Sequence, residues 1–358
     1  MKLFKDNMLL FSLLLSLLLL TVLYPANIPK YPSFIDWNTL ILLSGLLLVT
    51  TGMKESRYFD ILSEKLLKKL KNERAIALLL ILISSLLSTF LTNDVALFIV
   101  IPFTLSFRRF GIDTLKLLVF ETIAVNVGSC LTPIGNPQNL FIWQKWHIPF
   151  FNFILSMLPL FLILLSLLII LSFLSFSSKM FIVSEEHNEY DGKLFTFSFL
   201  LLISFIIFAE IGYSLIFLLM ILSLYSIFYR NVIKRVDWLF LLIFLLMFIL
   251  FGSLSNVPVI NEAITPIKMT PKNVFVVSSL FSQFMSNVPA AIFLSNFTSN
   301  WKALAYGVNV GGNGIIFASL ANIITFRIAK DKKLWKIFHL YSIPFFIFSF
   351  FLVYLILS

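Results

Sequence analysis

A cluster of polar residues with one full charge interrupts a long apolar run of this sequence. The stretch SSLLSTFLTNDV, residues 84–95, contains several hydroxyl side chains, the amide Asn93 and the acid Asp94. An acid placed in hydrocarbon costs about 3 kcal/mol on insertion scales, and such residues usually serve ions or solutes. We therefore expect Asp94 to exchange a proton or to neutralise a cation. Capping of the following apolar arm is a second, compatible role, because aspartate accepts backbone N–H bonds at a helix start.

The same polar pattern recurs later in the chain. SSLLSTFLTND at 84–94 aligns with SSLFSQFMSNV at 278–288, with identical residues at six of eleven positions. The alignment pairs Asn93 with Asn287, whereas Val288 stands where the first copy has its acid. Self-similarity of this kind indicates a chain built from two related halves.

A second motif also occurs twice. VNVGSCLTPIGNPQN at 125–139 aligns without a gap with VNVGGNGIIFASLAN at 308–322. Prolines and glycines in the first copy, and glycines in the second, are expected to break the helix in which each motif lies. The equivalent amides are Asn126 with Asn309, and Asn139 with Asn322.

The elements that must position these residues are membrane helices. Of 358 residues, 59% are hydrophobic and 12% are charged, and a bilayer core about 30 Å thick accommodates helices of roughly 20 apolar residues. The sequence thus predicts an all-α polytopic membrane protein. We expect spans at 8–24, 38–53, 112–143, 148–176, 194–209, 211–229, 237–253, 303–326 and 337–357.

Two further segments, 75–107 and 273–299, have two apolar arms around a polar centre. In the first, the arm Val95–Phe107 reaches only about 20 Å at roughly 1.5 Å per residue, which is too short to cross. We therefore predict two re-entrant helical hairpins, together with broken transmembrane helices at 112–143 and 303–326.

The distribution of basic residues predicts the orientation. With this layout, 22 of the 27 Lys and Arg residues fall in loops on the side of the amino terminus, which predicts a cell-membrane protein with a cytoplasmic amino terminus. The hairpins then enter from opposite faces. This arrangement is an inverted-topology repeat, with halves 1–176 and 211–358 joined by a hinge loop and connector helix at 177–210.

Inverted repeats with interrupted helices are typical of alternating-access secondary transporters, which bind solutes where the broken helices meet. Amide, hydroxyl and carbonyl oxygens there suit a small cation, and helix amino termini suit an anion. Asp94 is the candidate for coupling. The predicted solute- or ion-binding residues are Thr92, Asn93, Asp94, Asn126, Gly128, Thr132, Gly135, Asn136, Asn139, Ser286, Asn287, Asn309, Gly311, Gly312, Asn313 and Asn322.

The motifs LTNDVALFIVIPF, GSCLTPIGNPQNLFIW and SNVPAAIFLSNF resemble the ion transporter superfamily, especially its arsenite-permease-like and citrate-transporter-like (SLC13-type anion permease) branch. The resemblance implies a homodimer and an elevator-like movement of the hairpin domain. Related divalent anion/sodium symporters have Ser-Asn-Thr at each tip, with sodium bound between the tip and the broken helix. This chain instead has Thr92-Asn93-Asp94 and Ser286-Asn287-Val288.

These observations favour a proton- or sodium-coupled carrier of a small anion, either arsenite or an organic or inorganic anion. Sodium/proton antiport is the alternative within this class. An intramembrane enzyme is disfavoured, because Val288 denies Asp94 a partner carboxylate. We expect no cofactor, no metal centre and no nucleic-acid partner. The coupling ion would supply the energy, unless a separate ATPase subunit docks, for example on the basic helix predicted at 56–74.

One further acid, Glu121, lies inside the span 112–143. It could pair with a solute, or with Lys116 one and a half turns earlier. The lone Cys130 excludes an internal disulfide, and we interpret it as a packing residue.

Overall fold

The computed structural model describes residues 8–70, 72–110, 112–178, 189–255, 257–258, 262 and 268–356. The amino-terminal residues 1–7 and most of the predicted hinge loop, 179–188, lie outside the described residues.

Helices make up nearly all of the described chain, which confirms the all-α polytopic class. Short helical turns at Pro25–Lys30, Tyr31–Phe34, Phe107–Phe110 and Ile316–Ala318 connect longer helices. The longer helices are α1 (Met8–Leu23), α2 (Trp37–Glu55), α3 (Tyr58–Lys69), α4 (Glu73–Phe90), α5 (Asn93–Ser106), α6 (Thr114–Ser129), α7 (Pro137–Lys145), α8 (Phe150–Ser175), α9 (Gly192–Glu210), α10 (Ser214–Phe228), α11 (Arg230–Arg235), α12 (Trp238–Ser255), α13 (Pro271–Met285), α14 (Asn287–Leu294), α15 (Trp301–Gly311), α16 (Leu320–Ala329) and α17 (Leu334–Ile356).

Several of these helices suit a bilayer. Within the described residues, α4, α8, α17 and the segment Gly192–Ala209 are each long and apolar enough to cross a membrane. The segment Leu10–Leu23 passes the same test together with Pro25–Phe34, although the two are bent by 116°. Because α4 alone is long enough to cross, the re-entrant character of the hairpin 75–107 stays a prediction.

The long helix α8 has apolar side chains on both its buried and its exposed faces. Its side chains Phe153 and Leu164 are fully buried, whereas Phe151 and Leu174 are 76% and 80% exposed. A helix that is apolar on its packed face and on its exposed face is unfavourable in water and is suited to hydrocarbon.

The chain divides into two compact units. The first contains Met1–Ser56 and Asp191–Ile267, and the second contains Arg57–Tyr190 and Lys268–Ser358. Each unit thus draws on both predicted halves of the sequence. The predicted repeat boundaries are a different division, and they stay a prediction.

In the first unit, α2 packs against α9 and α10, and α12 packs against α1 and α2. Gly45 lies against the ring of Phe205, so a side chain there would collide with it. Tyr225 donates a hydrogen bond to Ser198 Oγ at 2.7 Å across the α9–α10 contact. These close contacts make this unit a tightly packed helical body.

In the second unit, the packing is reciprocal. Helix α4 packs against α6 as α13 packs against α15, and α5 contacts α16 as α14 contacts α7. The contact of α6 with α17 is likewise matched by the contact of α15 with α8. Each helix named in these pairs therefore has an equivalent that contacts the equivalent neighbour, as expected of two related halves.

The basic helix predicted at 56–74 corresponds to α3 and the start of α4. Helix α3 packs against α5, where Ser106 Oγ donates to the carbonyl oxygen of Phe59 at 3.2 Å. Asp60 on α3 forms an ion pair with Arg109 at 2.6 Å. Helix α3 is thus attached to the end of the first hairpin.

Candidate functional site

Both predicted helix breaks are present in the second unit. Helix α6 ends at Ser129 and α7 begins at Pro137, while α15 ends at Gly311 and α16 begins at Leu320. A helix that stops inside a protein leaves its last carbonyl oxygens without intrahelical donors, and these groups need other partners.

Asparagine side chains supply those partners at each break. Asn139 Nδ2 lies 3.3, 3.1 and 3.2 Å from the carbonyl oxygens of Ser129, Cys130 and Thr132. At the second break, Asn322 Nδ2 donates to the carbonyl oxygens of Gly312 and Ile315, at 3.1 and 3.2 Å.

The two breaks are also joined to each other. Asn126 Nδ2 donates to Asn322 Oδ1 at 3.1 Å, and Asn309 Nδ2 donates to Asn139 Oδ1 at 2.7 Å. In each pair, one amide comes from the first motif and the other from the second. The four asparagines are buried, and they form a polar network shared by the two breaks, which we call the amide network.

Further bonds repeat this symmetry. Asn136 Nδ2 donates to Asn309 Oδ1 at 3.0 Å, and Ser319 Oγ, at the equivalent position, donates to Asn126 Oδ1 at 3.3 Å. Asn136 and Ser319 also cap α7 and α16. Each residue therefore starts a helix and holds an amide of the other motif.

Glycines allow the hairpin helices to approach the broken helices closely. A Cβ at Gly128 would collide with the carbonyl oxygen of Ser85, and one at Gly311 would lie 2.7 Å from the carbonyl oxygen of Ser279. These four residues occupy equivalent positions in the two copies. The structure thus shows a packing role for both glycines, and their predicted binding role remains a proposal.

The hairpin tips contact the breaks of their own copies. The backbone N–H of Asn93 donates to the carbonyl oxygen of Gly135 at 2.8 Å. A Cβ at Gly312 would lie 2.9 Å from Asn287 Nδ2. Near the first tip, Thr132 Oγ1 donates to the carbonyl oxygen of Thr89 at 2.8 Å.

The first tip holds Asp94 inside the protein. The side chain of Asp94 is in the first turn of α5, and the residue is only 2% exposed. Thr92, rather than Asp94, caps this helix, since its Oγ1 accepts the N–H of Val95 at 3.4 Å. A negative charge in the first turn is still favoured by the helix dipole.

The second tip is strained. Ser286 has φ of 70° and ψ of 156°, a region that residues other than glycine rarely adopt. Strain of this kind costs about 1–3 kcal/mol and tends to occur at functional sites. The side chain of Ser286 is buried beside Asn287 Oδ1, at 3.5 Å.

Three buried amide oxygens around the network have no hydrogen-bond donor among the residues that the structure describes. They are Asn93 Oδ1, Gln138 Oε1 and Asn313 Oδ1. An amide oxygen without a donor is costly to bury, and hard cations prefer oxygen ligands. Helices α5, α7, α14 and α16 also begin at the tips and breaks, and helix amino termini favour an anion. The arrangement can therefore serve both a cation and an anion.

Gln283 is a residue of this region that the sequence analysis missed. Its Nε2 donates to the carbonyl oxygens of Gly311 and Asn313, at 2.6 and 3.0 Å, and its Oε1 accepts the N–H of Ile315. Thr89, which aligns with it, donates to the carbonyl oxygen of Gly128 at 3.1 Å. The alignment of the two hairpins could have identified this pair, because it places the polar residues Thr89 and Gln283 at equivalent positions.

The apolar helices, the paired helix breaks and the amide network define a polytopic membrane protein with the architecture of a transporter. The chain belongs to the citrate transporter family, whose profile matches residues 7–302.

Proteins similar to this chain are also named as membrane proteins or transporters. The inner membrane protein YbiR of Escherichia coli K12 is 39% identical over 88% of this chain and 86% of its own length. An uncharacterised transporter of Methanocaldococcus jannaschii is 36% identical over 88% of this chain and 87% of its own length. A putative transporter of Dictyostelium discoideum, named arsB, is 32% identical over 34% of this chain and 22% of its own length. The chain is therefore a multi-pass membrane protein of a transporter family.

Proposed function

We propose that this protein is a secondary active transporter that moves a small anion across the cell membrane by alternating access, driven by a proton or sodium gradient. The amide network is the observation that carries this proposal. The two broken helices lie in the second unit and are joined by hydrogen bonds between side-chain amides, each bond linking the first motif to the second. Discontinuous helices that meet inside the protein are the usual solute site of such carriers.

The surroundings of the amide network support a cation beside an anion. Asp94 and the donor-free oxygens of Asn93, Gln138 and Asn313 provide negative charge or oxygen ligands. The amino termini of the four helices that start at the tips and breaks provide N–H groups for an anion. A coupling ion bound at the first tip would reduce the repulsion between Asp94 and an incoming anion.

The family name indicates citrate, and the resemblance of the sequence motifs to arsenite permeases adds arsenite as a second solute. Both solutes therefore belong in the test. The proposal places the amino terminus in the cytoplasm and makes the protein a homodimer. A separate ATPase subunit on α3 remains an alternative energy source.

Sodium/proton antiport is the second candidate. The donor-free amide oxygens and Asp94 are oxygen ligands that such an antiporter would offer to sodium and protons in turn, without any anion. The two candidates differ in one measurable respect, because only the first accumulates an anion.

Uptake into proteoliposomes tests both candidates. Purified protein is reconstituted, a proton or sodium gradient is imposed, and arsenite, citrate, succinate, sulfate and sodium are followed in parallel. We expect one anion to accumulate under one gradient, and to stop accumulating when an ionophore collapses that gradient. Sodium movement that drives proton movement without any anion would support antiport, and no movement of any solute would refute both.

A further inference from the structure

A second acidic side chain is buried away from the hairpin tips. Glu121 lies on α6, five residues before Asn126, and it is 0% exposed. Its Oε1 accepts a hydrogen bond from Thr104 Oγ1 at 2.6 Å. Its Oε2 has no hydrogen-bond partner in the part of the chain that the structure describes. Because Thr104 is on α5, this bond joins the second arm of the first hairpin to the first broken helix.

No cationic side chain balances Glu121 among the described residues. Lys116, the partner considered from the sequence, instead forms an ion pair with Glu73 at 3.2 Å and donates to the carbonyl oxygen of Ser175 at 2.8 Å. Of the two partners considered for Glu121, a solute or Lys116, the pairing with Lys116 is therefore wrong. Lys116 lies nearer the start of α6 and reaches the start of α4 and the end of α8.

The neighbouring helices do not balance this charge either. Helix α6 packs against α4, α5, α8, α16 and α17. Their ionisable groups are Glu73 and Arg74 on α4, Asp94 on α5, Arg327 on α16, and Lys336, His339, Tyr341 and Tyr354 on α17, with none on α8. In the described structure, none of them forms a hydrogen bond or an ion pair with Glu121, whose polar contact is Thr104 alone.

An isolated carboxylate in apolar surroundings is far less favourable than the neutral acid. The neutral acid needs no cation, and it keeps the bond to Thr104 in either direction, because a hydroxyl group both donates and accepts. We propose that Glu121 is a second proton-binding site, whose carboxyl group carries a proton while it is buried against Thr104 between α5 and α6. Release of this proton would break the carboxyl O–H bond, pass the proton to water and leave a carboxylate that needs solvation.

The site belongs to one half of the chain only. When the gap-free alignment of the broken-helix motifs is extended upstream, Leu304 falls at the position of Glu121, and it is also fully buried. At this buried position the second half therefore has an apolar side chain, whereas the first half has an acid. Burial of an acid costs desolvation, and the hydrogen bond to Thr104 does not require an ionisable partner, so proton binding accounts for the acid better than packing alone does.

Infrared spectroscopy of the purified protein tests this proposal without any transport measurement. At neutral pH we expect a carbonyl stretching band from a buried, protonated carboxyl group. This band should disappear in Glu121→Gln and persist in the matched control Asp94→Asn. In Thr104→Val the band should move to higher frequency, because the carboxyl group loses its hydrogen bond while the shape of the neighbouring side chain is kept.

Identical spectra of wild type and Glu121→Gln would overturn the proposal. If Glu121→Gln does not fold, an unshifted band in Thr104→Val would overturn it instead. Proton binding by Glu121 does not depend on the proposed function, but a role of this proton in coupling does. That role needs a second measurement. The pH dependence of proteoliposome uptake should change in Glu121→Gln, and an unchanged pH profile in a variant that has lost the band would refute the coupling role alone.

Discussion

The hydrogen bond between Asn309 and Asn139 links the two helix breaks, and its contribution can be measured by a double-mutant cycle. Replacement of either residue by alanine removes the 2.7 Å bond and leaves a buried amide or carbonyl group unsatisfied. Each such loss costs about 1–3 kcal/mol. Asn139→Ala also removes the donor to three carbonyl oxygens. Since an amide has two N–H bonds to share among them, we expect a total loss of about 2–4 kcal/mol.

The double variant should lose less than the sum of the single variants, because the shared bond can be lost only once. A coupling energy of about 1 kcal/mol is expected, and it can be obtained from reversible denaturation in mixed micelles. The matched control is Asn126 with Asn139, two amides of the same motif that form no hydrogen bond with each other in the described structure, for which the coupling should be close to zero. Equal coupling energies in the two cycles would refute the hydrogen bond between Asn309 and Asn139 that the amide network contains.

Three further predictions concern the tips and one glycine. Asp94→Asn should keep solute binding and lose part of the gradient dependence of uptake, because the coupling proton or cation loses its carboxylate; full pH and sodium dependence in the variant would contradict this role. Gly128→Ala should destabilise the protein by about 1–3 kcal/mol, since the added Cβ collides with the backbone at Ser85; an unchanged melting temperature would show that the two helices are not in close contact. Ser286→Gly should raise the melting temperature by relieving a positive φ, with a net gain of about 1 kcal/mol after the entropy of glycine is included; a lower melting temperature would indicate that the serine hydroxyl group matters more than the backbone strain.

The class of protein and the two helix breaks could be predicted from the sequence, because both depend on local properties. The length of an apolar segment predicts a membrane helix. A residue such as Pro137 or Gly312 interrupts the helix in which it lies, whatever the rest of the chain does. The equivalence of Asn126 with Asn309 was likewise visible in an alignment.

The partners of these asparagines were not predictable in the same way. An alignment shows which residues are equivalent, but it does not show which residues touch. The amides were expected to be ion ligands, whereas the structure shows that much of their bonding capacity is spent on each other and on free carbonyl oxygens. The residue that caps α5 was also not predictable from the sequence. Both threonine and aspartate cap helices well, and the backbone geometry decides which of Thr92 and Asp94 occupies the cap position.

The amide network draws equivalent asparagines from both halves, whereas two buried acids have apolar equivalents. Asp94 and Glu121 both belong to the first half, and their equivalents in the second half are Val288 and Leu304. Neutral amides can hold the two breaks together in any protonation state, whereas the acids change charge. Under the proposed function, a protonated or cation-bound first half repels an anion less than an ionised one. Binding of the anion and binding of the coupling ion would then favour each other to the same extent, as linkage requires. A gradient that loads the first half would thereby drive the anion in the same direction, which favours symport over exchange.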